Sequence, residues 1–315
     1  MESILTTVLP VFGMIVLGYG FAKANIFDAV SGKGISLFVF NVAIPALLFK
    51  TVAAMEAQEA APWGLWLAFF GGITLTWIAT TLISQRVDGI SASGGAAASM
   101  AAGFGNLALL GTPLALAHFG DSVAVPLGLI LSVHAPILWF AATLHRELAR
   151  HSGNFSLFRT AREMFFNLAT NAIVLALAGG SLWRLTGVGI HPVIERMLDM
   201  LADASVPTAL FALGLSLAGY SLRGAWSGMF SLIGLKMILM PVSVFLLVRF
   251  AVTLPPVWAK LAVLFAAMPT GANAFLFAQR NEESVPAISG AIALGTALAA
   301  ISAALLLYLM DAGLI

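Results

Sequence analysis

Cysteine is absent from the 315 residues. Disulfides and thiolate metal sites are thereby excluded, while the compartment stays open. Charge is almost as scarce: only 9% of the residues are Asp, Glu, Lys or Arg, against roughly 25% in a soluble domain. A soluble surface cannot be built from so little charge, so the chain reads as a polytopic membrane protein. A net charge of +1 offers no footprint for nucleic acid. The opening residues, MESILTTVLP, have no basic n-region and read as the lead-in to a first span rather than a signal peptide. A phosphate loop, a zinc spacing and a facing nucleophile–base pair are also missing. No enzyme is expected, and neither a metal nor an organic cofactor is called for.

What is present is apolar: 60% of the residues are hydrophobic. A bilayer core takes about 20 such residues per helix. Ten stretches qualify, near 3–22, 35–54, 63–83, 92–118, 122–143, 164–185, 193–219, 226–251, 258–279 and 285–310. The expected fold class is all-α, with ten transmembrane helices. The one sizeable polar loop lies at 144–163, which divides the chain into 1–150, a linker at 151–163, and 164–315. Lys and Arg are more frequent after odd-numbered spans, as with Arg146, Arg150, Arg159 and Arg162. That bias places the central loop in the cytoplasm and both termini outside. The halves look related: AIPALLF carries Pro45 and SVPTALF carries Pro207. Five spans per half make an inverted repeat, a common design of secondary transporters.

Two of these stretches carry helix breakers. GFGNLALLGTPL holds Asn106, Gly111 and Pro113, and AAMPTGANAFLFA holds Pro269, Gly271 and Asn273. In lipid every backbone N–H and C=O needs a partner, so unwound backbone is tolerated only against protein or a watery cavity. Half-helix N-termini offer unpaired N–H groups and partial positive charge, which suits an anion. Asn106 and Asn273 add donors that need no ionisation. The plainer alternative is a pair of proline kinks with glycines that let helices pack closely.

These residues resemble the auxin efflux carrier family, which spans plant PIN-type exporters and bacterial malate or malonate permeases. NLALLGTPL resembles its N-x-x-x-x-G-x-P-L signature, and LADASVPTALFALGLSLA and AAMPTGANAFLFAQR resemble its seventh and ninth spans. LPVFGMIVLGYGFAKANIFD and LFVFNVAIPALLF resemble its first two. The resemblance implies two inverted five-helix repeats, with broken helices four and nine crossing beside the substrate. Carried over by position, Asn106 and Pro113 belong to the first crossing helix and Pro269 to the second. The short central loop resembles a bacterial-type member, in the inner membrane.

Other polar residues stand in or near spans. Asn41, ahead of Pro45, either lines the cavity or bonds a helix carbonyl. Asp203 reads as a helix cap or as a coupling site. Lys236 is the one base deep in a span, a candidate on the substrate path or a snorkelling side chain. His134 is a proton-shuttle candidate or a neutral packing residue. Asn167 and Asn171 are expected to bond neighbouring helices. Trp63, Trp66, Trp183 and Trp258 are expected to anchor span ends at the interface.

The expected function is a secondary carrier of a small organic anion, with malate, malonate or an auxin-like acid implied by the resemblance. The expected substrate residues are Asn41, Pro45, Asn106, Gly111, Pro113, Pro269 and Asn273. Asp203, Lys236 and His134 are candidates for coupling or gating, with H+ or Na+ as the coupling ion. The expected partners are the bilayer and the anion, with a homodimer open. A sodium symporter of the bile-acid-transporter type is the alternative carrier.

Overall fold

The computed structural model describes residues 2–54, 62–84, 86–87, 89–90, 95–150 and 156–314. Part of the expected linker, 151–155, lies outside the described residues, as do the first residues of the stretch at 92–118. Along the chain run α1 (Glu2–Lys23), α2 (Ala29–Phe38), α3 (Ile44–Ala54), α4 (Trp63–Ser84), α5 (Ala96–Gly103), α6 (Thr112–Phe119), α7 (Ala124–Arg150) and α8 (Leu157–Ala169). They are followed by α9 (Ala172–Leu185), α10 (Pro192–Asp203), α11 (Ser205–Leu217), α12 (Trp226–Gly234), α13 (Met240–Phe250), α14 (Pro256–Ala266), α15 (Ala272–Asn281) and α16 (Val285–Asp311).

Three turns of wide, π-type helix interrupt this series, at Val39–Ala43, Leu107–Gly111 and Leu235–Leu239. Each ends two residues before a proline: Pro45, Pro113 and Pro241. Proline has no N–H, and its ring crowds the carbonyl four residues back. Widening the preceding turn relieves that crowding, and the helix continues. The bonds show the change of pitch, since Ile44 N–H donates to Val39 O and Met240 N–H to Leu235 O, five residues back.

The ten expected spans are not found. Seven helical runs among the described residues are long and apolar enough to cross a membrane, or eight if one bent pair counts as a single span. Three of the expected stretches explain the shortfall. At 92–118, α5 has only eight residues and stops at Gly103. At 258–279, α14 has eleven residues and α15 ten. At 164–185, α8 and α9 meet at a 55° bend, where Asn171 turns aside to cap α9 through the Ile173 and Val174 amides. The expected helix-to-helix role of Asn171 gives way to that cap. From Leu107 to Ala149 the apolar stretch counts as a single 43-residue run, with a turn at Gly120 (φ 65°) between α6 and α7. Four qualifying runs precede the central loop and three follow it, so two inverted sets of five helices are not evident.

The chain forms two compact units. The first comprises Met1–Pro62, Ala108–Ser132 and Leu168–Gly219; the second comprises Trp63–Leu107, Val133–Asn167 and Tyr220–Ile315. In the first unit α1 packs along α11, and α3 packs along α9. Gly18 and Gly214 let α1 and α11 touch backbone to backbone: a Cβ on Gly214 would meet the Tyr19 amide at 2.7 Å. Such close approach is how small residues hold membrane helices together. Asp28 caps α2, accepting from the Ser31 amide at 2.8 Å and from its hydroxyl at 2.7 Å. The Ser31 bonds hold its carboxyl below the usual carboxylate range.

In the second unit α4 packs on α13 and α5, and α12 on α16. Its core includes Phe69, Met100, Leu264 and Phe265, all fully buried. Trp258 is 4% exposed, so it is a core residue rather than the interfacial anchor expected, because α14 is buried along most of its length. Trp63, 71% exposed at the start of α4, stacks edge-on to Trp66.

Candidate functional site

The second unit brings two unwound stretches together. After Gly103 the chain leaves the helix, with Phe104 extended at φ −86°, ψ 104°. After Ala266 it leaves the helix again, and Gly271, extended at φ −91°, ψ 158°, starts α15. Gly105 and Thr270 pair as an isolated antiparallel bridge. The Asn106 amide donates to Pro269 O at 2.8 Å, and the Gly271 amide donates to Phe104 O at 2.8 Å. Gly271 is required here, because a Cβ would sit 2.9 Å from Gly105 O and from the Phe104 ring.

The pairing answers the central physical problem of a broken helix in lipid, which is where the freed carbonyls go. Phe104 O and Pro269 O are taken by the opposing strand. Ala101 O accepts from the Thr270 hydroxyl at 2.9 Å. Ala266 O, at the end of α14, accepts from the Lys236 ammonium at 2.6 Å.

Lys236 is fully buried. It stands in the wide turn Leu235–Leu239, which Pro241 imposes, and it also reaches Met240 Sδ at 3.0 Å. A cation at a helix C-terminus meets the negative end of the dipole. Its ammonium carries three donors, two of them engaged, and among the described residues it forms no ion pair with a carboxylate. A buried charge without a counter-ion is expensive, and an anion bound nearby would offset that cost. Gly105 lies against it, its Cβ position 3.5 Å from Lys236 Nζ.

Further donors remain free beside the pairing. The Asn106 side chain is 9% exposed and makes no hydrogen bond among the described residues. The amides of Ala272 and Asn273, in the first turn of α15, find no backbone acceptor. Ala272 is exposed and Asn273 half-buried. An ammonium, free carboxamides and a helix N-terminus together make an environment for a carboxylate.

His134 is buried, and neither ring nitrogen has a hydrogen-bond partner. Its ring lies 4.5 Å from the Phe104 ring and also packs on Phe69 and Phe70. The second unit thus gathers Asn106, Pro269, Asn273, Lys236 and His134.

The remaining sequence candidates belong to the first unit. Gly111 is helical, ending the wide turn before α6, and Pro113 stands in the first turn of α6. The unwinding therefore lies at 104–106, upstream of the proline. The wide turn Leu107–Gly111 accommodates the donor that Pro113 lacks, so the helix runs on into α6. Asn41 is exposed and donates to Leu37 O at 2.9 Å, four residues back on its own helix. Pro45 is buried in α3. Asp203 ends α10 and does not cap α11, whose first flanking residue is Ala204 without a side-chain bond.

Thr270 was not singled out from the sequence. The usable signal for Thr270 was its position beside Pro269, where a hydroxyl can replace the donor that proline lacks. Gly105 carried only the general glycine signal of a close backbone approach.

The family described as membrane transport protein matches residues 3–307. A protein of Rhizobium meliloti (strain 1021) named "Putative malonate transporter" is 26% identical over 313 residues, covering 99% of this chain and 98% of the relative. The uncharacterized transporter YfdV of Escherichia coli (strain K12) is 24% identical over 278 residues, 86% of each chain. Auxin efflux carrier component 8 of Arabidopsis thaliana is 21% identical over 360 aligned positions, covering 98% of this chain and 97% of the relative.

Proposed function

The chain belongs to the membrane transport protein family, and on that premise we propose that it is a secondary carrier of small organic anions. It is a transporter and not an enzyme. The observation that carries the anion reading is the fully buried Lys236 ammonium, which has no carboxylate partner among the described residues. It stands behind a pairing that leaves donors available, the Asn106 carboxamide NH2 and the backbone amides of Ala272 and Asn273. The substrate carboxylate binds at the opening of α15 and is drawn by the Lys236 charge. Asn106 and Asn273 orient it. A short dicarboxylate is the substrate class, by analogy with the malonate transporter similar over nearly the whole chain. The bacterial cytoplasmic membrane is the location on the same analogy.

Transport follows from rearrangement around the unwound stretches, which already lack helical bonds and so bend at low cost. Counterflow in proteoliposomes tests the reading, using a panel of malonate, malate, succinate and an aromatic monocarboxylate. Saturable exchange with at least one dicarboxylate supports it. Flux that never saturates, or no flux with any acid, overturns it. Repeating the assay with and without sodium and a pH gradient separates sodium-coupled, proton-coupled and potential-driven movement.

A further inference from the structure

The thirteen residues of α8, LFRTAREMFFNLA, carry Arg159, Arg162 and Glu163. Three charges in so short a helix make it costly to place across a bilayer core. Nor is α8 the first half of α9, because each helix has its own start. The Ser156 hydroxyl accepts from the Arg159 amide at 3.3 Å, and Asn171 caps α9. The two axes diverge by 55°.

The length of α9 sets the depth of α8. Its fourteen residues reach about 21 Å, short of a bilayer core of about 30 Å. Only two residues join α8 to the start of α9. That tether holds α8 within the boundary layer of the membrane and not out in water.

The faces of α8 suit such a boundary. Ala161, Met164 and Leu168 are half-buried, so their side of the helix packs on the protein. Phe158 and Phe165 are seven residues apart, two turns along one face, and they are 81% and 71% exposed. Arg162 lies between them, four residues after Phe158 and three before Phe165, and is exposed. It has no ion pair among the described residues. Arg159 and Glu163, further round the helix, pair with each other at 3.1 Å and are well exposed. The uncompensated charge of α8 thus belongs to Arg162 and borders the aromatic stripe.

We propose that α8 is an in-plane anchor on a leaflet containing anionic phospholipid. Phe158 and Phe165 enter the edge of the acyl chains. The Arg162 guanidinium, its stem lying along the same face, binds lipid phosphates. Arg159 and Glu163 face water. The charge bias of the sequence makes this the cytoplasmic leaflet. The inference uses no residue of the anion site and requires no transport.

The absence of cysteine makes any introduced thiol unique. Spin labels on Phe158→Cys, Phe165→Cys and Glu163→Cys test the proposal, in full-length protein reconstituted into vesicles of phosphatidylcholine and phosphatidylglycerol. Collision with oxygen and with a water-soluble nickel complex reads the depth of each label. All three positions are exposed, so the variants should fold as wild type does. The labels at 158 and 165 should lie about 5–10 Å below the phosphates, and the label at 163 should lie in water. Combining Arg162→Gln with the label at 158 should bring that label nearer to water, as should leaving out phosphatidylglycerol. Nickel collision as frequent at 158 and 165 as at 163 overturns the proposal. So does exclusion of both reagents there, which would show the stripe covered by protein. A depth that neither Arg162→Gln nor lipid charge alters overturns the phosphate contact.

Discussion

The ammonium of Lys236 donates a 2.6 Å hydrogen bond to the carbonyl of Ala266, the last residue of α14. One side chain thereby closes the end of a broken helix and places a positive charge under the unwound pairing. These two roles can be separated. Lys236→Met keeps the volume and removes the charge. It leaves Ala266 O unpaired, at about 1–3 kcal/mol, but it also removes a buried cation, which is often neutral or stabilising. The expected result is Tm within a few degrees of wild type and counterflow lowered at least about 100-fold, consistent with the loss of a charge-assisted contact of about 3 kcal/mol. Reconstituted transport beside a thermal melt measures both.

Asn106 offers a cleaner test. Its carboxamide has no partner among the described residues, so Asn106→Ala orphans none of their polar groups. Stability should change by less than about 0.5–1 kcal/mol. Transport should fall about tenfold, the value of one hydrogen bond to a charged group. Full counterflow in this variant removes Asn106 from the site.

Thr270 and Gly271 hold the two unwound stretches together. Thr270→Val removes the hydroxyl that serves Ala101 O and should destabilise by about 1–3 kcal/mol. Gly271→Ala puts a methyl 2.9 Å from Gly105 O and should cost about as much through displacement of the pairing. Both should lower Tm, and both should lower transport in proportion to the folded fraction or further. Detergent melts and counterflow read the two effects.

Pro241 tests the wide turn that carries Lys236. Pro241→Ala restores a donor and permits ordinary helix pitch, so Tm should rise. The turn Leu235–Leu239 would then tighten by one residue and rotate Lys236 away from Ala266, lowering transport. A variant with higher Tm and unchanged counterflow would detach the wide turn from function.

The membrane class was legible because it rests on composition alone: 9% charge cannot cover a soluble surface. The span count was not legible, for a definite reason. Hydropathy sums apolar residues and is blind to where a helix stops. The stretches at 92–118 and 258–279 are mostly apolar, yet α5 and α6 have eight residues each, α14 eleven and α15 ten, with non-helical backbone between α5 and α6 and between α14 and α15. Trp258 misled in the same way, since nearness to a helix end says nothing about what packs on it. Asn106 and Pro269 were readable from their breakers, and the structure puts both in the antiparallel pairing. Pro113 drew attention some eight residues too late. A proline shows where a helix cannot receive a bond, whereas the break itself is fixed by pairing with Thr270 and Gly271, a non-local contact. Lys236 stood out as a base in an apolar run, but its bond to Ala266, thirty residues away, could come only from the fold.

The central claim is that an anion occupies the free amides at the start of α15. Hydrogen–deuterium exchange of the peptide covering residues 268–276, in purified protein with and without malonate, tests it most directly. Slower exchange at the Ala272 and Asn273 amides on adding malonate, absent with an uncharged diamide of the same length, is the expected result. Saturable malonate binding with exchange at these two amides unchanged would place the anion elsewhere and contradict the account.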